Sequence, residues 1–169
     1  MKNVQVGSGN PTRVKRHRQQ RTMSITIRIL QTGDESVLER VEKDTFDDPI
    51  EMKSTVEFLR DPHHHLVVAL EDEMVVGFVS GVHYVHPDKP NPELWINEVG
   101  VASTHRGRGV GRAILDAMLQ LGRTLGCSEA WVLTSRSNPP AMRLYASAGG
   151  EEPKEDQVMF TFRLQQGAS

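Results

Sequence analysis

A chain of 169 residues, 37% hydrophobic and 25% charged, is long enough for one domain with its own core, and no apolar run in it reaches the length of a membrane helix. The single cysteine, Cys127, excludes an internal disulfide framework, and the N-terminus lacks the apolar stretch of a secretory signal, so we expect a cytoplasmic protein. The net charge of −2 is uneven: residues 1–22 carry six basic and no acidic side chains, which leaves 14 basic against 22 acidic residues in the rest.

This uneven charge predicts two parts with different properties. Residues 1–22 are polar and show no helical or strand periodicity, so they are predicted to form a disordered arm, whether a native tail or an addition ahead of Met23. Residues 23–169 are predicted to form a single domain with a charge of −8, which repels nucleic-acid phosphate and attracts cationic small molecules. Nucleic acid therefore remains an alternative partner only for the basic arm.

The first elements of the domain alternate between strand and helix. Residues 25–30 alternate apolar and polar side chains, as a half-buried strand does, and a charged stretch from residue 33 to about residue 44 is predicted to be helical. Residues 46–49 indicate a loop. Apolar residues at helical spacing then predict a second helix from about Met52, and the pair Asp61-Pro62 ends it.

The middle of the chain predicts a hairpin followed by a long strand. Two apolar runs, 65–70 and 75–83, flank an acidic tip at 71–73 and predict an antiparallel pair. Residues 93–101 predict a further strand. This strand continues directly into a glycine-rich turn, and a helix follows the turn.

The last third predicts two helices and two strands. The first helix has one apolar face and ends at Gly126; its apolar residues are Val110, Ile114, Met118, Leu121 and Leu125. Residues 130–134 predict a strand, 139–148 a short helix and 158–164 a final alternating strand. The order of all these elements predicts an α/β fold with helices on both faces of a mixed, partly antiparallel sheet.

The turn between the strand 93–101 and its helix carries the clearest chemical signal. Its glycines let backbone N–H groups approach a ligand at the positive end of the helix dipole. Its arginines add positive charge in an acidic domain, which favours a bound polyanion over a plain tight turn. The residues predicted to hold the polyanion are Arg106, Gly107, Arg108, Gly109, Val110, Gly111 and Arg112.

Three segments follow one another in a characteristic order: Val99-Gly100-Val101, then Arg106 to Gly111, then Asn138 to Tyr145 with Gly149 four residues later. With them the chain, from about residue 25 to residue 164, resembles the GNAT superfamily of acetyl-CoA-dependent N-acetyltransferases. The resemblance implies acetyl-CoA as the cosubstrate and no metal. It also implies a GNAT-type sheet in which two neighbouring strands splay apart and leave a V-shaped slot for acetyl-CoA.

The same resemblance implies roles for particular positions. The backbone of Val99 and Val101 is expected to bond the pantetheine arm of CoA as a neighbouring strand would. The amides of residues 106–112 are expected to hold the CoA pyrophosphate. Asn138 and Tyr145 are expected to reach the pantetheine and the sulfur atom.

Acetyl transfer to an ammonium group needs a proton acceptor for the amine and a proton donor for the departing thiolate. Tyr145 is the predicted donor, and the alternative is a packed core tyrosine. Glu98 is the predicted acceptor, because a period of two places it on one strand face with Leu94, Ile96 and Gly100, where burial would raise its pKa. A solvated strand-edge carboxylate is the alternative. His83 on the neighbouring strand is the reserve base.

The excess of acidic side chains suggests the chemistry of the acceptor. Asp47, Asp48, His83 and Glu98 are predicted to bind a cationic amine. The Phe46-Asp47-Asp48 loop and Glu98 look similar to the small aminoglycoside 3-N-acetyltransferases, so an aminoglycoside is the expected substrate and antibiotic resistance the expected outcome. Polyamine acetylation, protein N-terminal acetylation and a non-catalytic acetyl-CoA sensor are the alternatives, and the choice between monomer and homodimer stays open.

Three consecutive histidines, His63 to His65, resemble a metal cluster by composition. Consecutive side chains cannot all face one ion, and no ligand at helical spacing accompanies them. We therefore predict a loop at this position and no metal site.

Overall fold

The computed structural model describes residues 24–153 and 158–164, so the arm predicted at residues 1–22 lies outside the described residues. The described part forms one sheet with the strand order β1-β2-β3-β4-β5, antiparallel except that β5 runs parallel to β4. The strands and α-helices, in chain order, are β1 (Thr26–Leu30), α1 (Met52–Arg60), β2 (His64–Glu71), β3 (Met74–Tyr84), β4 (Glu93–Val101), α2 (Val110–Thr124), β5 (Glu129–Val132) and α3 (Pro139–Ser147).

Local sequence explains where several of these elements begin and turn. The carboxylate of Glu51 accepts hydrogen bonds from the backbone N–H groups of Lys53 and Ser54 and so caps α1. The two-residue turn between β2 and β3 is formed by Asp72 and Glu73, both with positive φ, as the twist of an antiparallel hairpin requires.

The sheet separates two hydrophobic cores. On the α1 side the buried residues are Leu30, Leu38, Leu59, Leu66, Val68, Val75 and Phe78. On the α2 side they are Val67, Ala69, Val76, Val79, Leu94, Ile96, Val110, Ile114, Leu115 and Met118. The predicted α/β layering, with helices on both faces of a mostly antiparallel sheet, is therefore confirmed.

A β-bulge in β4 changes which side chains share a face. Ser80 of β3 lies opposite Glu98, but the next residue, Gly81, lies opposite Ile96, so Asn97 is an extra residue in β4. Ile96 faces the α2 core, whereas Glu98 lines a cleft on the α1 side. The predicted shared face of Leu94, Ile96, Glu98 and Gly100 is therefore wrong, because the bulge reverses the alternation between Ile96 and Glu98.

The helix predicted from residue 33 to about residue 44 is also wrong. Only Glu35–Glu39 form a short 3₁₀-helix. The chain then becomes extended, because Val75 donates its backbone N–H to the carbonyl of Arg40 and accepts a hydrogen bond from the N–H of Glu42. A pairing with β3 thus replaces the second half of the predicted helix.

The strand predicted at residues 158–164 is not formed. These residues have no strand pairing, and apolar side chains such as Phe162 and Leu164 are more than 80% exposed. An alternating sequence forms a strand only where another strand edge pairs with it, and among the described residues β5 pairs with β4 alone. The predicted strand 130–134 is likewise shorter, since β5 ends at Val132.

The described residues include no helix that is both long enough and apolar enough to cross a lipid bilayer.

Candidate functional site

The central feature of the site is a fork between β4 and β5. The two strands pair from Glu93 and Glu129 to Ile96 and Val132, where β5 ends. β4 continues to Val101 and stays paired with β3 on its other edge. Beyond Ile96 no strand of the described residues pairs with the edge of β4 that faced β5, so its backbone groups can bond an extended ligand.

A turn rich in glycine lies at the far end of β4. Gly107 and Gly109 have φ values of 74° and 81°, a conformation that glycine adopts without strain. Gly109 is the N-cap of α2 and provides no side-chain hydrogen bond to the first turn of the helix. The amide N–H groups at this end are thus available to an anion, in the field of the helix dipole.

The three arginines of this turn have acceptors inside the protein. Arg106 donates from Nε to the carbonyl of Val101 at 3.0 Å, and Arg112 donates from Nε to both carboxylate oxygens of Asp116 at 2.7 and 2.8 Å. Arg108 donates from Nη2 to Oε1 of Glu71 at 2.8 Å. Internal acceptors thus account for part of the hydrogen bonding of each guanidinium, and the contact of these three side chains with a polyanion stays a prediction. These contacts fix the side chains around the turn, whose backbone amides are the other groups predicted to bind the anion.

Glu71 is a site residue that the sequence reasoning missed. Its side chain is buried, although residues 71–73 were predicted only as the acidic tip of a hairpin. Besides Arg108, it accepts a hydrogen bond at 2.9 Å from Nε2 of His105, whose Nδ1 contacts Thr104 Oγ1 at 2.8 Å. The pKa of Glu71 is lowered, first by the hydrogen bond from His105 and then by that from Arg108. An acid at the core-facing end of β2 was the available signal, because such a group needs buried partners.

Glu98 lies in a cleft of about 360 Å³ between the sheet and α1. Asp47 and Asp48, from the loop before α1, line the same cleft. The pKa of Glu98 is raised, mainly by desolvation and further by the negative charges of Asp47 and Asp48. The three carboxylates predicted to face the acceptor are therefore brought together, and the local potential is negative.

Tyr145 lies on α3 at the opposite side of the fork. It lines a hollow of about 550 Å³ together with Ile96 and Val132, the last pair of β4 and β5. Burial raises the pKa of Tyr145. The side chain of Asn138 caps the same helix, since its Oδ1 accepts from the N–H of Ala141 at 3.3 Å.

His83 lies apart from these groups. Along β3 it shares a face with Val79 and Gly81, which is the α2 side, whereas Ser80 faces the cleft of Glu98. Its Nδ1 contacts Nε2 of His65 at 2.7 Å, and the pKa of His65 is lowered to about 4, first by burial and then by His83. Two of the three consecutive histidines belong to β2 rather than to the predicted loop.

Within residues 24–153 and 158–164, no group of three or more histidine, cysteine, aspartate or glutamate side chains is arranged to hold a metal ion.

The fork, the glycine turn and the acidic cleft can be compared with known proteins. The model of the acetyltransferase (GNAT) family matches residues 30–149. The chain belongs to this family. The predicted superfamily is thereby confirmed, and with it acetyl-CoA as the acetyl donor that the family uses.

Individual GNAT relatives carry different names. The L-2,4-diaminobutyric acid acetyltransferase of Nocardia farcinica (strain IFM 10152) is 31% identical over 124 residues, which are 72% of this chain and 62% of that protein. Across three curated relatives the chain spans 62%, 46% and 60% of their length. The match to each of these relatives therefore covers only part of that protein.

Solved GNAT structures show the same fold. The aminoglycoside acetyltransferase meta-AAC0020 from an uncultured soil metagenomic sample, in complex with sisomicin, superposes with a TM-score of 0.71 at 20% identity, over 83% of this chain and 97% of its own. The aminoglycoside N-acetyltransferase AAC(6')-Iy in complex with CoA superposes with a TM-score of 0.67 at 21% identity, over 85% and 97% of the two chains. At these identities the likeness shows a shared fold.

We expect Glu71→Gln to weaken the binding of acetyl-CoA more than it slows catalysis. The amide can still accept from Arg108, but it leaves the buried Nε2–H of His105 without its carboxylate partner, so the turn predicted to hold the pyrophosphate loses a contact that positions it. Steady-state kinetics should show KM for acetyl-CoA raised about tenfold with kcat nearly unchanged.

Glu73→Gln is the matched control for Glu71→Gln. Glu73 lies in the same hairpin, but it is exposed and pairs only with Arg40 among the described residues. Its replacement should leave KM for acetyl-CoA within twofold of the wild-type value, an approximate limit for an exposed pair. Equal effects of the two substitutions would refute a positioning role for Glu71.

Proposed function

We propose that this protein transfers the acetyl group of acetyl-CoA to a primary amine of a small cationic acceptor. The observation that supports this most directly is the fork of β4 and β5, which has a carboxyl of raised pKa on one side and a half-buried tyrosine on the other. An extended acyl donor and an amine that enter from opposite sides would meet there.

In this proposal two side chains transfer the protons of the reaction. Glu98 accepts a proton from the acceptor ammonium, directly or through a water molecule, so that the free amine attacks the thioester carbonyl. As the N–C bond forms and the C–S bond breaks, Tyr145 donates its hydroxyl proton to the departing thiolate. The second proton that the nitrogen loses on becoming an amide returns through water to the tyrosinate, so that only the proton held by Glu98 is released to solvent. Val99 and Val101 hold the pantetheine arm through their backbones, Asn138 contacts it, and the amides of residues 106–112 hold the pyrophosphate.

The acceptor is proposed to be polycationic, and an aminoglycoside is the leading candidate. The raised pKa of Glu98 beside two aspartates marks a cleft that stabilises positive charge. The solved neighbour in complex with sisomicin supports a bulky aminated ring system. The other solved neighbour carries a 6' designation, so 3-N specificity remains a hypothesis about this chain.

A short diamine is the second candidate. Its support is the sequence likeness to an L-2,4-diaminobutyric acid acetyltransferase. The same acidic cleft would accept its free ammonium group, and a polyamine or a protein N-terminus would also fit by charge. These acceptors differ in size and in the number of charges, so turnover separates them.

The test is release of free CoA thiol from acetyl-CoA with four acceptors: sisomicin, L-2,4-diaminobutyric acid, spermidine and a peptide with a free N-terminus. We expect kcat/KM to be highest for sisomicin and the acetylated product to be detected by mass spectrometry. Calorimetry in parallel should register binding of acetyl-CoA. Binding of acetyl-CoA without thiol release for any amine would contradict the proposal and favour a non-catalytic acetyl-CoA sensor.

Tyr145→Phe distinguishes a proton donor from a packing residue. The phenyl ring keeps the contacts with the core on the α2 side but has no proton to give. We expect kcat to fall about a hundredfold with little change in acetyl-CoA affinity. Loss of acetyl-CoA binding instead would assign the residue a structural role.

A further inference from the structure

Two tryptophans form an exposed aromatic ledge on the sheet. Trp95 of β4 and Trp131 of β5 lie opposite each other in the parallel pair, with ring centroids 5.2 Å apart and planes inclined by 5°. They remain 39% and 37% exposed, and they are the only two tryptophans of the sequence. Large aromatic rings left open to solvent often mark a binding surface.

The ledge is held in a fixed orientation. Trp131 donates its Nε1–H to the hydroxyl of Tyr84 at 2.7 Å, and this hydroxyl donates to Oε2 of Glu93 at 2.9 Å. Glu93 is buried and also pairs with Lys89. A chain of hydrogen bonds that ends on a buried carboxylate fixes the plane of the Trp131 ring, and Trp95 stacks on that ring.

The bulge at Asn97 places this ledge beside the candidate base. Leu94 and Ile96 face the α2 core, so Trp95 between them faces the α1 side. Because Asn97 is the extra residue, Glu98 faces the same side as Trp95 and lies in the next row of the sheet. In a regular strand the two side chains would project to opposite faces.

The same face of β4 and β5 is left open by α1. This helix packs against β2, and its cleft reaches β4 only at Glu98. If a ligand with its amine at Glu98 is too long for the cleft, the part that projects from it would therefore lie over Trp95 and Trp131. The negative charges of Glu98, Asp47 and Asp48 make a positively charged ligand the complementary one.

We propose that the ledge of Trp95 and Trp131 binds the non-reacting part of the acceptor and so selects ring-bearing polycations over short diamines. This rests on the proposed acetyl transfer. Indole faces attract ammonium groups and the apolar C–H faces of saturated rings, and they keep this attraction in a partly open site. A short diamine held at Glu98 has no ring to lie across the two indoles.

Trp95→Ala and Trp95→Phe test the proposal with two acceptors. For Trp95→Ala we expect kcat/KM to fall about tenfold with sisomicin and less than twofold with L-2,4-diaminobutyric acid, while KM for acetyl-CoA stays constant. The phenylalanine variant should recover most of the loss with sisomicin. Ile29→Ala, which removes a similarly exposed side chain from β1, should affect neither acceptor. Equal losses for both acceptors, or no loss with sisomicin, would overturn the proposal.

Tryptophan fluorescence gives a second readout that does not depend on turnover. Both tryptophans belong to the ledge, so the intrinsic signal of the whole chain reports on this surface. Sisomicin should shift the emission in a saturable way, with and without acetyl-CoA, and L-2,4-diaminobutyric acid should not. A saturable shift without any thiol release would support the ledge and refute the proposed function. Emission that does not respond to sisomicin, as expected if residues 158–164 cover the ledge in solution, would refute the ledge itself.

Discussion

Glu98→Gln should lower kcat about a hundredfold, because the amide cannot accept the proton of the substrate ammonium. The glutamine keeps the size of the side chain and its place in the cleft with Asp47 and Asp48. Binding of acetyl-CoA should not change, since no residue of the turn at 106–112 lines the cleft of Glu98. Steady-state kinetics with sisomicin and with L-2,4-diaminobutyric acid would measure the loss for each acceptor.

The pH profile makes this prediction specific to Glu98. The pKa of Glu98 is raised, and a base works only when it is deprotonated, so the wild-type rate should fall as the pH drops through that raised pKa. In Glu98→Gln this acidic limb should disappear. Asp47→Asn removes a negative neighbour, lowers the pKa of Glu98 and should move the limb to lower pH. An identical limb in all three proteins would remove Glu98 as the base.

The elements around the site that the sequence predicted well are governed by local patterns. The predicted strand 93–101 coincides with β4, and the predicted helix begins at Val110 as α2 does. The apolar period of α2 and the glycines before it depend only on neighbours along the chain. For the same reason Gly107 and Gly109 could be assigned to a tight turn before α2 from the sequence alone.

The features that the sequence did not predict depend on pairing between distant segments. The bulge at Asn97 exists only in the register of β4 against β3, and a count of alternating residues cannot detect an extra residue. Because of this bulge, the sequence placed Glu98 on the wrong face of β4 and did not show that Trp95 lies on the same face as Glu98. The same holds for Arg40, whose backbone pairs with Val75 instead of continuing a helix.

The sequence also could not predict which acidic and basic side chains pair with each other. Charge composition suggested that Arg108 was available to a ligand and placed Glu71 only in an acidic hairpin tip, yet the two side chains bind each other although they are 37 positions apart in the sequence. Composition reports how many charges a surface has, but the fold decides which of them are already paired. The cluster of Glu98 with Asp47 and Asp48 is the case in which a prediction from charge and the fold agree.

Gly100→Ala should strongly destabilise the protein, because the structure leaves no room for a side chain at this position of β4. A Cβ there would lie 2.2 Å from the carbonyl oxygen of Thr45 and 2.4 Å from Cε1 of Phe78. Phe78 is almost fully buried and stacks on Phe46 with ring centroids 3.7 Å apart, so it cannot move aside easily. The backbone of Thr45 is tied to Glu42 by a hydrogen bond.

We expect a loss of about 3 kcal/mol in the free energy of unfolding, at the upper end of the usual cost of overpacking a core. For a chain of this size that corresponds to a fall in Tm of roughly 6 to 12 °C, measurable by differential scanning calorimetry. Gly111→Ala in α2 is the matched control, because the nearest atom to a Cβ at this position would belong to Leu144 of α3, at an ordinary contact distance of 3.5 Å. Alanine at 111 should leave Tm unchanged or slightly higher, since it favours the helix. Equal Tm values for Gly100→Ala and Gly111→Ala would mean that the loop of Thr45 and Phe46 does not pack on β4 as the structure places it. The position of Asp47 and Asp48 beside Glu98 would then be contradicted as well.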